Sequence, residues 1–223
     1  MEWVFLEETD STNRAAKELA RQGAPHGTAV LAKRQTAGRG RLGRAFFSPE
    51  GGLYLSVILY PQCPPEDRAL MTPMAAVAVC RALEQVCGIS PGIKWVNDLY
   101  LGGKKLCGIL CEGCGDAVIV GIGLNLYTPE GGFPAEIPAT ALDVPVGRRV
   151  LAEAIGQQLL QPGEFLAEYR ERCLLLGKTV TVHPVAGEAY AARAVDLDDR
   201  CRLVVESCRG RETLDSGEVS VRF

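Results

Sequence analysis

The sequence predicts an α+β protein: a mixed central sheet flanked by helices, followed by a small all-β module. Three observations lead there. Apolar runs of strand length alternate with stretches of helical periodicity over most of the chain. One run, Leu53–Leu59 (LYLSVIL), is apolar nearly throughout, as expected of a strand covered on both faces. After Gly177 the pattern changes to short alternating runs at even spacing, which suits a small barrel. With 223 residues, 47% of them apolar, the chain fits one large domain with a small appendage and has ample material for a core. The predicted division is 1–176 and 177–223.

Taken in order, Trp3–Glu7 reads as a strand. Ser11 or Thr12 then caps a helix through Arg21, with Ala15, Ala16, Leu19 and Ala20 at helical spacing and Gly23 as its stop. Thr28–Arg34 and Leu53–Leu59 are strands. Arg68–Cys87 is a helix whose firm part starts at Thr72-Pro73, threonine as cap and proline in the first turn. Ile93–Trp95 and Leu99–Leu101 are short strands, and Gly102-Gly103 turns the chain into Lys105–Glu112, which pairs with Ala117–Leu126. Residues 128–147, rich in proline and glycine, form a loop. Val150–Leu160 and Glu164–Leu175 are amphipathic helices. In the last module Thr179–His183, Tyr190–Leu197, Arg202–Ser207 and Glu218–Phe223 are the expected strands.

Composition narrows the function. A formal net charge of −3 and a pI near 5.6 argue against a dedicated polyanion binder. No apolar run reads as approaching the roughly 18–20 residues needed to span a bilayer, and the acidic N-terminus MEWVFLEETDSTN is no signal peptide. Nine cysteines in no framework point to reduced thiols and a cytoplasmic protein. Cys107, Cys111 and Cys114 cluster in sequence, but His26 and His183 lie in no ligand spacing, so buried free cysteine is preferred to a structural metal.

Four stretches carry candidate chemistry. Gln35–Pro49 (QTAGRGRLGRAFFSP) alternates Arg39, Arg41 and Arg44 with glycines. Such a loop combines close backbone approach with forked donors for phosphate or carboxylate, although the same spacing suits a solvated basic linker or a nucleic-acid-binding tail. Asp10–Asn13 (DSTN) offers hydroxyls and an amide at a helix mouth, or an ordinary N-cap. Lys94–Asp98 (KWVND) sets a cation, an indole, an amide and a carboxylate around a strand end, or a turn with a buried Trp. Lys104–Leu110 (KKLCGIL) places Lys105 at the foot of an apolar strand, where an ammonium acts strongly on phosphate.

Together these stretches resemble the catalytic domain of biotin protein ligases. DSTN, Q-x-x-G-R-G-R-x-G-R, SP-x-G-G-LYLS, KW-x-ND, KKL-x-GIL-x-E, VGIGLN and SGEVSVR follow in that family's order over nearly the whole chain. The resemblance implies a class II synthetase-like catalytic domain at 1–176 and an SH3-like barrel at 177–223. It implies an enzyme that joins biotin to AMP with Mg-ATP and passes the biotinyl group to a lysine of a biotin carboxyl carrier protein. By the same resemblance Lys105 and Arg41 are the catalytic cations. Ser11, Thr12, Asn13, Gln35, Arg39, Gly40, Arg41, Lys105 and Gly108 surround biotin. Arg39, Arg41, Phe46, Lys94, Trp95, Asn97, Asp98, Asn125 and Arg222 surround the nucleotide, with Asp98 on magnesium. No structural metal is implied. A homodimer is compatible with the family, whereas DNA and membrane partners are not expected, because the first strand begins almost at residue 1, as in the monofunctional form.

Three departures stand out. Val96 replaces the family's usual proline in KWPND, Phe46 stands where Trp is frequent, and AVDLDDRCRL replaces the usual Gly-Ile-Asp stretch. The nearest alternative is a lipoate or octanoate transferase of the same broad fold, and the GRGRLGR loop and KW-x-ND pair argue against it.

Overall fold

The computed structural model describes residues 1–184 and 187–215, and the backbone of 219–222. The larger sheet is built from β1 (Trp3–Thr9), β2 (Ala29–Gln35), β3 (Leu53–Leu59), β4 (Gly92–Lys94), β5 (Asp98–Leu101), β6 (Lys104–Cys114) and β7 (Ala117–Leu124). They lie in the order β1-β2-β3-β7-β6-β5-β4. The β1–β2 pair is parallel because helix α1 (Thr12–Arg21) crosses between them, and every other pair in the sheet is antiparallel.

Period-two alternation gives this sheet two apolar faces. Leu31, Leu55, Val57, Val118, Val120 and Ile122 face helices α2 (Met71–Cys87) and α3 (Arg148–Leu160) in the main core. Val30, Ile58, Ala117 and Ile119 alternate with them and pack on Ala16 of α1. Helix α1 covers only part of its face. Beyond its N-terminus the same registers carry Gly108, Gly121 and Gly123 instead of apolar side chains, in rows that run Asp98–Gly108–Gly123–Tyr54 and Leu110–Gly121–Ser56 across four and three strands. Replacing bulk by glycine there opens a hollow on the sheet.

The second sheet contains β8 (Thr179–Pro184), β9 (Tyr190–Leu197), β10 (Leu203–Ser207), β11 (Gly210–Leu214) and β12 (Val219–Arg222), all antiparallel, in the order β11-β10-β9-β8-β12. This arrangement is consistent with an SH3-like module, though among the described residues no pairing closes β11 onto β12. Its attachment is specific. Trp95 Nε1 donates to the Cys201 carbonyl at 2.8 Å, Arg200 donates to Glu66 O and pairs with Asp67, and Arg170 of α4 (Leu166–Arg172) pairs with Asp196.

Several expectations need correction. Thr72 is not a helix cap: the segment Pro65–Leu70 forms a 3-10 turn that runs straight into α2, and Thr72 hydrogen-bonds the Cys111 thiol instead. The run Pro65–Cys87 is long and apolar enough to meet a membrane-span criterion, but it is a core helix against the sheet. Helix α4 is shorter than the amphipathic pattern at Glu164–Leu175, since Cys173 and Leu174 turn to bridge β4. Strand β11 was not expected, because GRETL carries hardly any apolar alternation. Glu218 and Phe223 lie outside the described residues.

Candidate active site

The hollow is closed at one end by the start of α1. Ser11, Thr12 and Asn13 are all buried there. Ser11 occupies the N-cap position without making a side-chain cap, so its hydroxyl is not used by the helix. Asn13 is held firmly: Nδ2 donates to Leu110 O at 3.2 Å and to Glu112 Oε2 at 2.7 Å, and Oδ1 accepts from Ser56. A Cβ on Gly121 would lie 2.1 Å from Asn13 Oδ1, which is why this strand position is glycine. Gln35 Oε1 accepts from the Thr12 amide at 2.9 Å and lies 3.1 Å from the Thr12 hydroxyl oxygen, which also contacts Ser56 Oγ at 2.8 Å. Burial alone would raise the Glu112 carboxyl, but hydrogen bonds from Lys17 and Asn13 and nearby positive charge outweigh it and hold it below the usual carboxylate range.

The glycine-arginine segment is a small hairpin over the hollow. Arg39 bridges Ala45, Gly40 N–H donates to Arg44 O at 2.7 Å, and Phe46 N–H donates to Gly38 O at 2.9 Å. Its tip, Arg41–Gly43, puts Leu42 in the left-handed region at φ 55° and leaves its side chain exposed. A branched apolar residue resists that conformation. Phe46 reaches down from the hairpin onto the glycine floor, where a Cβ on Gly123 would meet its ring at 2.5 Å and one on Gly108 at 2.9 Å.

The pocket is also cationic. Arg39, Arg41, Arg44 and Lys105 line it with one carboxylate, Asp98, and Arg39 lies close enough to Glu112 to act on its charge. Lys105 Nζ lies 2.8 Å from Asp98 Oδ1 and 5.7 Å from the Phe46 ring centre. Lys105 is thus the charge partner of the buried Asp98 Oδ1. Arg41 donates to Asn97 Oδ1 at 3.2 Å, and burial draws its guanidinium below the ordinary value. Asn97 is itself fixed, donating to Ile109 O at 2.8 Å. The Lys105 backbone is clamped by the segment that follows β7: its N–H donates to Pro138 O and its carbonyl accepts from Thr140 N–H.

Ser11, Thr12, Asn13, Gln35, Arg39, Gly40, Arg41, Phe46, Asn97, Asp98, Lys105 and Gly108 therefore line one pocket. Three residues expected at the nucleotide do not line this pocket. Trp95 is buried in the core and its indole is committed to Cys201, so it anchors the second module instead of lining the pocket. Lys94 lies over the Tyr100 ring, 5.5 Å from its centre. Asn125 is buried and donates to Thr140 O at 2.9 Å, supporting the clamp on Lys105. The Arg222 side chain lies outside the described residues. The peptide bond between Trp95 and Val96 is cis. Arg44, named with the loop but given no ligand, lines the pocket too, whereas sequence reasoning missed Gly121 and Gly123 as pocket residues and Ser56 and Glu112 behind it; glycines at period two in a strand (VGIGL) were the available signal. The sulfurs are packing: Cys107 is fully buried, and burial pushes the Cys111 thiol up to about 12.

A glycine-floored pocket that sets neutral hydrogen-bonding groups and cations under an arginine hairpin defines a site for a ligand with a polar head and anionic tail. Residues 5–125 match the Biotin/lipoate A/B protein ligase family, and residues 175–222 match the Biotin protein ligase C terminal domain. The chain is 33% identical to the biotin–[acetyl-CoA-carboxylase] ligase of Paracoccus denitrificans, over 96% of this chain and 98% of that protein. It is also 33% identical to the bifunctional ligase/repressor BirA of Bacillus subtilis, over 98% of this chain and 73% of that protein. The biotin protein ligase of Aquifex aeolicus, solved in complex with biotin and ATP, superposes with a TM-score of 0.85 at 31% identity, covering 99% and 98% of the two chains. The chain belongs to the biotin protein ligase family.

Proposed function

We propose that this chain activates biotin as biotinyl-5'-AMP with ATP and transfers the biotinyl group to a lysine of a biotin carboxyl carrier protein. The observation that carries the reading is that one pocket is lined both by the hydrogen-bonding side chains of Thr12, Asn13 and Gln35 and by the cations of Arg39, Arg41 and Lys105. A ureido ring needs paired donors and acceptors when buried. A carboxylate meeting a triphosphate needs cations that are already in place.

In this reading Ser11, Thr12, Asn13 and Gln35 hold the ring, and Gly108 leaves room for the chain of the acid. Lys105 draws the biotin carboxylate and the α-phosphate together against their mutual repulsion. The carboxylate oxygen attacks the α-phosphorus and pyrophosphate leaves. Arg39 and Arg41 hold the resulting anhydride under the hairpin, while Phe46 offers a face to the adenine. The carrier amine then attacks the acyl carbon and AMP departs. Asn97 keeps Arg41 aimed at the site.

Magnesium would bind through Asp98, the one carboxylate lining the pocket, and would neutralise phosphate charge. Among the described residues no group of three His, Cys, Asp or Glu side chains could hold a metal. A single carboxylate completed by phosphate oxygens and water is a usual way for magnesium to bind. The boundary near Gly177, a cytoplasmic location and a homodimer are parts of the same reading. Supporting the dimer, β1 pairs only with β2 among the described residues, so one sheet edge is open.

The direct test is biotin-dependent exchange of pyrophosphate into ATP, with lipoate as the competing acid. Exchange with biotin and none with lipoate is expected. Exchange with lipoate alone would move the chain to the other branch of the broader family.

A further inference from the structure

Ser48 lies behind the pocket wall, only 6% exposed, and two hydrogen bonds through it decide which way a pocket side chain points. Gln35 Nε2 donates to Ser48 Oγ at 2.9 Å, and Ser48 Oγ donates to Phe46 O at 2.9 Å. A carbonyl can only accept, so the one hydroxyl proton of Ser48 is committed to Phe46. Toward Gln35 the hydroxyl is then an acceptor, and the amide must present its nitrogen. The oxygen end is thereby turned to Thr12, whose N–H donates to it at 2.9 Å. The same logic runs back from the other end, because the Thr12 N–H can only donate. Gly38 makes the arrangement possible: a Cβ there would lie 2.4 Å from Ser48 Oγ and 2.5 Å from Phe46 O.

We propose that Ser48 is a positioning residue for biotin activation, fixing the amide of Gln35 with its oxygen toward Thr12. The Thr12 hydroxyl lies nearer Ser56 Oγ, at 2.8 Å, and because Ser56 spends its own proton on Asn13 Oδ1 the Thr12 proton goes to Ser56, so the Thr12 N–H is the donor that meets Gln35 Oε1. Without Ser48 the amide keeps only its Thr12 end, and Gln35 Nε2 is left with no partner behind the wall to hold the side chain in place. The inference rests on the reading of this end of the pocket as the biotin end.

The test is a double-mutant cycle on the full chain. Biotin binding is measured by calorimetry for wild type, Ser48→Ala, Gln35→Ala and the double variant, with melting temperatures to confirm folding. Ser48→Ala should weaken biotin binding about tenfold, the usual size for an orphaned buried hydrogen-bonding group. In the Gln35→Ala background the same change should cost less than about twofold, since its effect travels through Gln35. At saturating biotin the adenylation rate should stay within about twofold. Ser48→Cys, close in size but a poor acceptor, should repeat the pattern more weakly and covers the case in which the alanine variant does not fold. An equal loss in both backgrounds would mean that Ser48 merely supports the loop, and would overturn the proposal. So would unchanged biotin affinity in Ser48→Ala. Failure of the wild type to bind biotin is a separate result, and it would remove the functional reading itself.

Discussion

At the scale of single residues, Lys105 and Glu112 show two different uses of charge at the pocket. Lys105 is partly buried beside Asp98, with its backbone held on both sides, so its ammonium is in place before any ligand arrives. Lys105→Ala should lower single-turnover adenylate formation by about 10²–10³, as loss of one preorganised electrostatic donor does; unchanged single-turnover chemistry would remove Lys105 from the mechanism. Glu112 acts from behind, through Asn13 and Lys17. Its carboxyl is depressed in the folded state, so its contribution to stability is present above the unfolded value of about 4.3 and is lost as pH falls through the folded value. The melting-temperature difference between wild type and Glu112→Gln should therefore be largest near neutral pH and shrink in acid. A difference that does not change with pH would show that Glu112 is not held ionised by this network. Lys105 could be singled out because the KKL-x-GIL stretch resembles the family's motif, whereas spacing alone hardly separates it from Lys104. Glu112 escaped, because a carboxylate near a strand end looks like any solvated charge until the sheet register brings Asn13 and Lys17 to it.

At the scale of elements, strands were legible where apolar residues run continuously or alternate, and helices where apolar residues recur at helical spacing. Leu53–Leu59 and Tyr190–Leu197 emerged with the expected boundaries. The start of α2 did not, because proline and acidic residues at 65–67 favour a 3-10 turn that feeds the helix without a side-chain cap. The arginine hairpin was expected as a loop, and pattern reading gave no sign of the Arg39–Ala45 bridge, since glycine and arginine have no strand period. That bridge and the Phe46–Gly38 bond tie the base of the hairpin, while Leu42 holds its tip in a resisted conformation. Ligand contacts from Arg39 and Arg41 would then decide how long the lid stays shut. Arg41→Gly should still make the adenylate but release it roughly ten- to a hundredfold faster, because a charge-assisted hydrogen bond contributes about 1.5–3 kcal/mol. The readout is biotinylation of a bystander such as serum albumin. If bystander labelling stays flat while adenylate forms, the hairpin is not a lid.

At the scale of the whole molecule, the second module is tied into the segment that carries Asn97 and Asp98. Trp95 donates to Cys201 O, and the buried Tyr169 hydroxyl donates to Val96 O at 3.0 Å, so this segment is held from two sides. Sequence could place Trp95 near the nucleotide but not turn its ring away, since that direction depends on a carbonyl more than a hundred residues later. Trp95→Phe leaves the Cys201 carbonyl unpaired and should cost about 1–3 kcal/mol, a fall of several degrees in melting temperature. It should also weaken ATP more than biotin, because the Asn97–Asp98 turn moves with it; equal loss of both ligands would mean a general loosening. The account as a whole turns on one outcome. Purified chain is mixed with biotin, ATP, magnesium and an apo biotin carboxyl carrier domain, and the carrier is weighed by mass spectrometry. A carrier heavier by one biotinyl group on a single lysine, absent when ATP is omitted, is the predicted result. A carrier of unchanged mass in the complete mixture, with the same carrier accepted by an established ligase, would contradict it.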